Sequence, residues 1–220
     1  IVGVEALVRI VGADGQHLNP RELVEAAEDG GLIRRIEETV LQRAAATMQS
    51  LPDRDDPPFL SVNVSDRQLR DSRFPLARAR TLNAAEFAAE HLHLAINRSI
   101  FDRKGPAVRL VTQLRALGVS VAIDEFIGAS DTDMVVPDGV DMIKLDKRLI
   151  HGVHGERGRA RAELVIGGIL DRALDVCAVG VETEADLAAV SELGCHYAQG
   201  YLFSPPVDAA QLRLLMADAG

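Results

Sequence analysis

Polar side chains close seven strand-like runs of this chain. They are Glu5 in Gly3-Val4-Glu5-Ala6-Leu7, Asn63 in Ser61-Val62-Asn63-Val64-Ser65, Asn97 in Leu94-Ala95-Ile96-Asn97 and Asp124 in Val121-Ala122-Ile123-Asp124. Lys144 and Asp146 in Ile143-Lys144-Leu145-Asp146, Glu182 in Val179-Gly180-Val181-Glu182 and Gln199 in Ala198-Gln199-Gly200 complete the set. Carboxylates, amides and an ammonium gathered at the carboxyl ends of parallel strands form the active-site rim of a β/α barrel. Lys occurs only at Lys104, Lys144 and Lys147, so a Lys inside the apolar run Met142-Ile143-Lys144-Leu145 stands out.

The elements that position these groups alternate regularly. Strands are expected at Ile1–Val8, Phe59–Val64, His91–Ile96, Val119–Ile123, Val140–Leu145, Val176–Val181 and Tyr197–Phe203. A helix is expected from Pro20 to the Gly30-Gly31 pair. Leu32–Met48 carries apolar residues at helical spacing. Further helices are expected at Arg67–Leu82 (short and irregular), Ala107–Leu117 with Gly118 as its C-terminal cap, Ala160–Leu174, Thr183–Leu193 with Thr183 as N-cap, and Ala209–Ala217. Pro52–Pro58, Gly128–Asp133 and Gly152–Gly158 read as loops. Strands buried on both faces and alternating with helices make a parallel α/β sheet. No Gly-rich phosphate loop follows the first strand, which counts against a dinucleotide-binding open sheet. Polar residues spread over nearly every strand end favour the barrel.

Bulk properties narrow the function classes. The chain has 220 residues, enough for one well-cored domain, 1–220. A net charge of −9 argues against a broad duplex-DNA or anionic-membrane surface, though not against a small phosphorylated ligand met by a few aimed donors. Cys177 and Cys195 have no metal-ligand spacing and read as inert thiols of a cytoplasmic protein. No apolar stretch approaches bilayer-spanning length.

The ordered motifs Glu5-Ala6-Leu7, Ser61-Val62-Asn63-Val64-Ser65, Ala122-Ile123-Asp124, Ile143-Lys144-Leu145-Asp146, Gly180-Val181-Glu182-Thr183 and Gln199-Gly200-Tyr201-Leu202-Phe203-Ser204 resemble the EAL domain. That family contains bacterial cyclic di-GMP phosphodiesterases. The resemblance implies a modified (β/α)8 TIM-like barrel, here without the strand with which the family usually begins. It also implies a reaction in which two Mg²⁺ or Mn²⁺ ions share a bridging carboxylate and activate water against a phosphodiester. By resemblance Glu5 and Asn63 are ligands of the first metal, Asp124 is the bridging ligand and Glu125 a neighbouring carboxylate. Lys144 orients the attacking water, Arg9 contacts phosphate, and Glu182 and Gln199 are supporting and ligand-contacting positions.

The departures from the pattern carry most of the message. Where the family has Leu-Glu-Ile-Thr-Glu-Ser, this chain has Leu94-Ala95-Ile96-Asn97-Arg98-Ser99, so a metal-binding Glu is Ala95 and a loop-anchoring Glu is Arg98. Where the family has Asp-Asp-Phe-Gly-Thr-Gly, this chain has Asp124-Glu125-Phe126-Ile127-Gly128-Ala129. Where the family has Ala-Glu-Gly-Val-Glu-Thr, this chain has Ala178-Val179-Gly180-Val181-Glu182-Thr183, so the Glu serving the second metal is Val179. Alkyl groups offer nothing to a hard cation whose affinity follows ligand charge and number. The expectation is a catalytically degenerate regulatory module with vestigial Lys144 and Glu182. It would need no cofactor, hold cyclic di-GMP through Arg9, Lys144 and Gln199, and act through a homodimer or a protein partner. The alternative is a weak phosphodiesterase that uses Glu5, Asn63, Asp124 and Glu125 for one Mg²⁺ or Mn²⁺ and yields linear pGpG.

Several of these residues also have plainer roles open to them. Glu5 could be a solvated carboxylate and Asn63 a turn cap. Asp124 and Glu125, adjacent in a strand, are expected on opposite faces with Asp124 towards the rim. Lys144 could pair with Asp146 or Asp124. Arg98 is expected to form a salt bridge with Glu125 or Asp124 in place of a cation, with a phosphate clamp as the other option. His91 and His93 are expected at an edge or surface, His151 and His154 in an exposed Gly-rich loop, and Arg157–Arg161 in a solvated first helical turn.

Overall fold

The computed structural model describes all residues except 13, 14, 17, 20, 21, 23–25, 28, 29, 53, 102–105, 129–135, 219 and 220. Among the described residues, seven strands lie in one sheet in the order β1-β2-β3-β4-β5-β6-β7. They are β1 Gly3–Ala6, β2 Phe59–Val64, β3 Leu92–Asn97, β4 Ser120–Phe126, β5 Met142–Leu145, β6 Asp175–Val179 and β7 Tyr197–Gln199. Strand order equal to chain order is the barrel type of α/β topology, because a doubly wound sheet reverses its order at a switch point. The expected fold class, α/β with a TIM-like strand arrangement, is therefore met.

Two compact units divide the chain: residues Ile1–Leu94 with Asp208–Gly220, and residues Ala95–Val207. In the first unit, β1 and β2 pair in parallel, with Glu5 opposite Ser61 and Ala6 opposite Val62. The helix Ile33–Gln49 packs against both strands and against the helix Phe74–Ala84. Its core residues Ile33, Leu41 and Ala45 recur at multiples of four and so share one face. Leu212 and Met216 of the helix Ala209–Asp218 join Leu51 in a small core on which Val4 and Met48 rest. The ring of Phe59 stacks on His93 at 4.0 Å between centroids. His93 is half-buried and packs on Phe59 from β3, an interior rather than an edge strand. His91 ends a short 3-10 turn, Ala89–His91, and does not share a strand face with it.

In the second unit β4, β5, β6 and β7 pair in parallel. All four residues of β5 are buried, as a strand covered on both faces requires. Helix Pro106–Arg115 packs on β4 and helix Glu156–Leu170 on β6. The latter begins four residues before the expected Ala160. Gly158 does not break it: a Cβ there would lie 1.9 Å from the carbonyl oxygen of Gly152, so glycine is needed for close approach of the preceding loop. Helix Glu184–Glu192 is capped as expected by Thr183, whose hydroxyl accepts from Asp186 N–H while the Asp186 carboxylate accepts from Thr183 N–H. β7 ends at Gln199, well short of the expected Phe203. Most of the helix expected from Pro20 and of the loop expected over Gly128–Asp133 falls outside the described residues. Among the described residues, no helix is long and apolar enough to cross a membrane.

Candidate functional site

In the first unit, adjacent β1 and β2 bring Glu5 and Asn63 together. The Asn63 side-chain amide donates from Nδ2 to Glu5 Oε1 at 2.7 Å. A cation shared by these two residues would be met by the Glu5 carboxylate and by the Asn63 amide oxygen once the amide turned over. Arg9 follows β1 and is exposed, with its guanidinium donating to the carbonyl of Val8 at 2.9 Å.

The second unit holds the denser cluster. The β4–β5 register runs Ile123 opposite Ile143 and then Phe126 opposite Leu145. Two residues, Asp124 and Glu125, therefore face the single residue Lys144, which is a β-bulge. Glu125 absorbs the extra residue at φ 56°, the left-handed region. The bulge suspends the strict two-residue period here, and the two carboxylates have different partners, Lys144 for Asp124 and Asn97 for Glu125. Asp124 Oδ1 accepts from Glu125 N–H at 2.7 Å, and its Oδ2 lies 3.9 Å from Lys144 Nζ. Lys144 is buried, 3 % exposed. Asp146, the other candidate partner for Lys144, is occupied elsewhere. It caps the short helix Lys147–Ile150 by accepting from Arg148 N–H and pairs with the Arg148 guanidinium at 2.9 Å, which holds its carboxyl below the ordinary range.

Asn97, at the end of β3, donates from Nδ2 to Glu125 Oε2 at 2.5 Å and accepts through Oδ1 from Ser99 N–H at 2.9 Å. Its two bonds fix the amide's orientation and tie Glu125 to the start of the turn Arg98–Ile100. Two residues before Asn97, Ala95 is 2 % exposed and presents only a methyl group.

Glu182 lies three residues beyond the end of β6 rather than on the strand itself. The intervening turn pivots on Gly180 at φ 84°, where a Cβ would lie 2.4 Å from Lys147 Cβ. The carbonyl of Gln199, at the end of β7, accepts from the N–H groups of Gly180 at 2.8 Å and Val181 at 3.0 Å. On the neighbouring strand, Val179 stands opposite Gln199.

His151 and His154 were expected in an exposed loop. Both are exposed, yet each reaches this turn. His151 Nε2 is 3.1 Å from the Gly180 carbonyl and 3.8 Å from Glu182 Oε1, and His154 Nε2 is 2.6 Å from Asp186 Oδ1. Donation from His154, ahead of the Thr183 hydroxyl and two backbone N–H groups, pulls the Asp186 carboxyl down to about 2. Sequence spacing gave no sign of these contacts, whose partners are about thirty residues apart. Cys177 is buried on β6, and burial pushes the Cys195 thiol up to about 11, which makes Cys195 a poor nucleophile. Among the described residues, no three His, Cys, Asp or Glu side chains converge as a cation site.

The model of the EAL domain matches residues 1–206. The cyclic di-GMP phosphodiesterase PA2567 of Pseudomonas aeruginosa is 30 % identical over 213 residues, covering 96 % of this chain and 36 % of that protein. The signaling protein YkoW of Bacillus subtilis is 28 % identical over 218 residues, covering 96 % of this chain and 27 % of that protein. This chain thus spans about a third or less of either relative. The solved structure of the PaMucR phosphodiesterase in complex with c-di-GMP superposes with a TM-score of 0.83 at 26 % identity, covering 96 % of this chain and 87 % of that one. The chain belongs to the EAL domain family.

Proposed function

We propose that this EAL domain is a regulatory module that holds cyclic di-GMP without divalent cations and does not hydrolyse it. The single observation behind this reading is the state of the second unit's rim. Ala95 and Val179 stand where the family pattern has metal-binding carboxylates, and the remaining Asp124 is engaged by Lys144 Nζ and Glu125 N–H. With Ala95 and Val179 in those places, two carboxylates whose charge would hold a metal pair are missing, and Asp124 is already engaged by an ammonium within the protein. Glu125 is tied to Asn97, and Glu5 to Asn63. The donor set does not fit a pair of divalent cations.

The residues left can still recognise an anion. Lys144 offers a buried ammonium, Arg9 an exposed guanidinium and Gln199 an amide at a strand end. Charged donors of this kind bind phosphate without metal. PaMucR, 26 % identical to this chain, was solved with c-di-GMP, which supports the choice of nucleotide. A homodimer or a protein partner would carry the signal onward.

One observation favours a second reading. Glu5, Asn63, Asp124 and Glu125 all remain, and PA2567 is named as a phosphodiesterase. A single cation could then support weak cleavage to linear pGpG. Incubation of the protein with cyclic di-GMP and Mg²⁺ or Mn²⁺, followed by chromatography, separates the two readings. The regulatory reading expects intact nucleotide, and linear dinucleotide lost in the Asp124→Ala variant would establish the enzyme. Calorimetry in chelator tests the receptor role, which fails if no heat of binding is seen at millimolar nucleotide.

A further inference from the structure

Two histidines from one loop grip both ends of the segment that carries Glu182. His151 Nε2 lies 3.1 Å from the carbonyl oxygen of Gly180, and a carbonyl can only accept, so Nε2 carries the proton. His154 Nε2 lies 2.6 Å from Asp186 Oδ1. Asp186 is ionised at neutral pH and also only accepts, which places the proton on His154 Nε2 as well. The other oxygen of Asp186 turns back and accepts from the N–H groups of Glu182 at 3.1 Å and Thr183 at 2.9 Å. His154 thus reaches the Glu182 backbone through one carboxylate. Gly180, bound by His151 at its carbonyl, is bound at its N–H by the Gln199 carbonyl. The same two residues therefore link Glu182 to the end of β7.

The histidines themselves come from a braced platform. The preceding helix Lys147–Ile150 buries Leu149 and Ile150, and its cap Asp146 is locked by Arg148. Lys147 fills the space beside Gly180 that a side chain would occupy. Val153, between the two histidines, is 2 % exposed and anchors the loop in the core. The charged side chains facing the pair are Glu182 on His151 and Asp186 on His154.

We infer that His151 and His154 are positioning residues, a two-point clamp that fixes the Gly180–Asp186 segment and with it the placement of Glu182 and the Gln199 end of β7. The consequence for a nucleotide rests on the receptor reading above, whereas the clamp itself does not.

The test is amide hydrogen exchange on the intact chain, read at Glu182 and Thr183, for wild type and for His151→Ala, His154→Ala and His154→Gln. Exchange at these two amides should rise at least about tenfold in His154→Ala while β4 and β5 amides keep their protection. His154→Gln should restore slow exchange, because its side-chain amide can donate to Asp186 in place of Nε2. Unchanged exchange at both amides in both alanine variants overturns the clamp. So does a uniform rise through the strands, or failure of glutamine to rescue. Calorimetry with cyclic di-GMP on the same proteins then separates the two ideas. A clamp upheld by exchange in a protein that binds no nucleotide removes the receptor reading and leaves the clamp.

Discussion

Lys144 and Asp124 face each other across a β-bulge, with the ammonium 3.9 Å from a carboxylate oxygen and the Lys side chain 4 % exposed. A cation this deeply buried depends on its counter-charge, because removing one partner strands the other in a poorly solvated site. Asp124→Asn should therefore destabilise the protein by on the order of 2 kcal/mol, reduced from the fully buried case because Asp124 is partly solvated. Lys144→Met should cost less. The double variant should recover most of the loss, since a neutral packed pair avoids desolvation altogether. Urea unfolding of the four proteins measures the coupling, and strict additivity would deny the pair.

The Asn97–Glu125 bond carries a second prediction. Asn97→Asp keeps the oxygen that accepts from Ser99 N–H but replaces the donor to Glu125 with a like charge. The expected cost is about 1–2 kcal/mol. Glu125→Gln in the same background restores a donor and should return about half of it. Thermal unfolding distinguishes this from an effect on the Ser99 cap, which the second substitution leaves untouched.

Acid sensitivity follows from Asp186. Its carboxyl is held at about 2, below the ordinary 3.8, first by His154 and then by the helix cap. A depressed carboxylate contributes its full stabilisation above the unfolded value and loses it as pH falls through the folded one. Asp186→Asn should therefore cost about 1–2 kcal/mol at pH 7, the range for a lost helix cap. The gap to wild type should close between roughly pH 4 and pH 2. Denaturant unfolding at pH 7, 4 and 2.5 reads this window, and a gap that widened on acidification would refute the assignment.

Gly180 supplies the sharpest backbone test. Alanine there meets both the left-handed φ of 84° and a Lys147 Cβ 2.4 Å away. A Cβ cannot retreat as the tip of a flexible chain can, so Gly180→Ala should cost at least about 2 kcal/mol and shift the Glu182 backbone amide resonances. A variant with wild-type melting temperature would show that the turn is not constrained as described.

The fold was legible where local pattern and tertiary role agree. Phe59–Val64 alternates apolar Leu60, Val62 and Val64 with polar Ser61 and Asn63, and forms β2 with those ends. The acidic first turn after Thr183 produced the expected capped helix. Legibility failed where a residue serves a distant partner. Gly158 looked like a loop residue because glycine disfavours helix, yet its absent side chain admits the Gly152 carbonyl. The bulge at Glu125 is invisible to a two-residue period because it depends on how β4 registers with β5. Asp124, Lys144, Glu5 and Asn63 were recognisable from their motifs, and the structure places each pair in contact. His151 and His154 were not, since nothing local in a Gly-rich loop shows which carboxylate it will meet.

A rim with Ala95 and Val179 in place of carboxylates is proposed to hold no paired divalent ions. Anomalous diffraction from crystals grown in millimolar Mn²⁺ and cyclic di-GMP tests it most directly. The account expects nucleotide density with Lys144 still paired to Asp124 and no manganese at Asp124. Two manganese peaks about 3.5–4 Å apart, bridged by the Asp124 carboxylate, would contradict it.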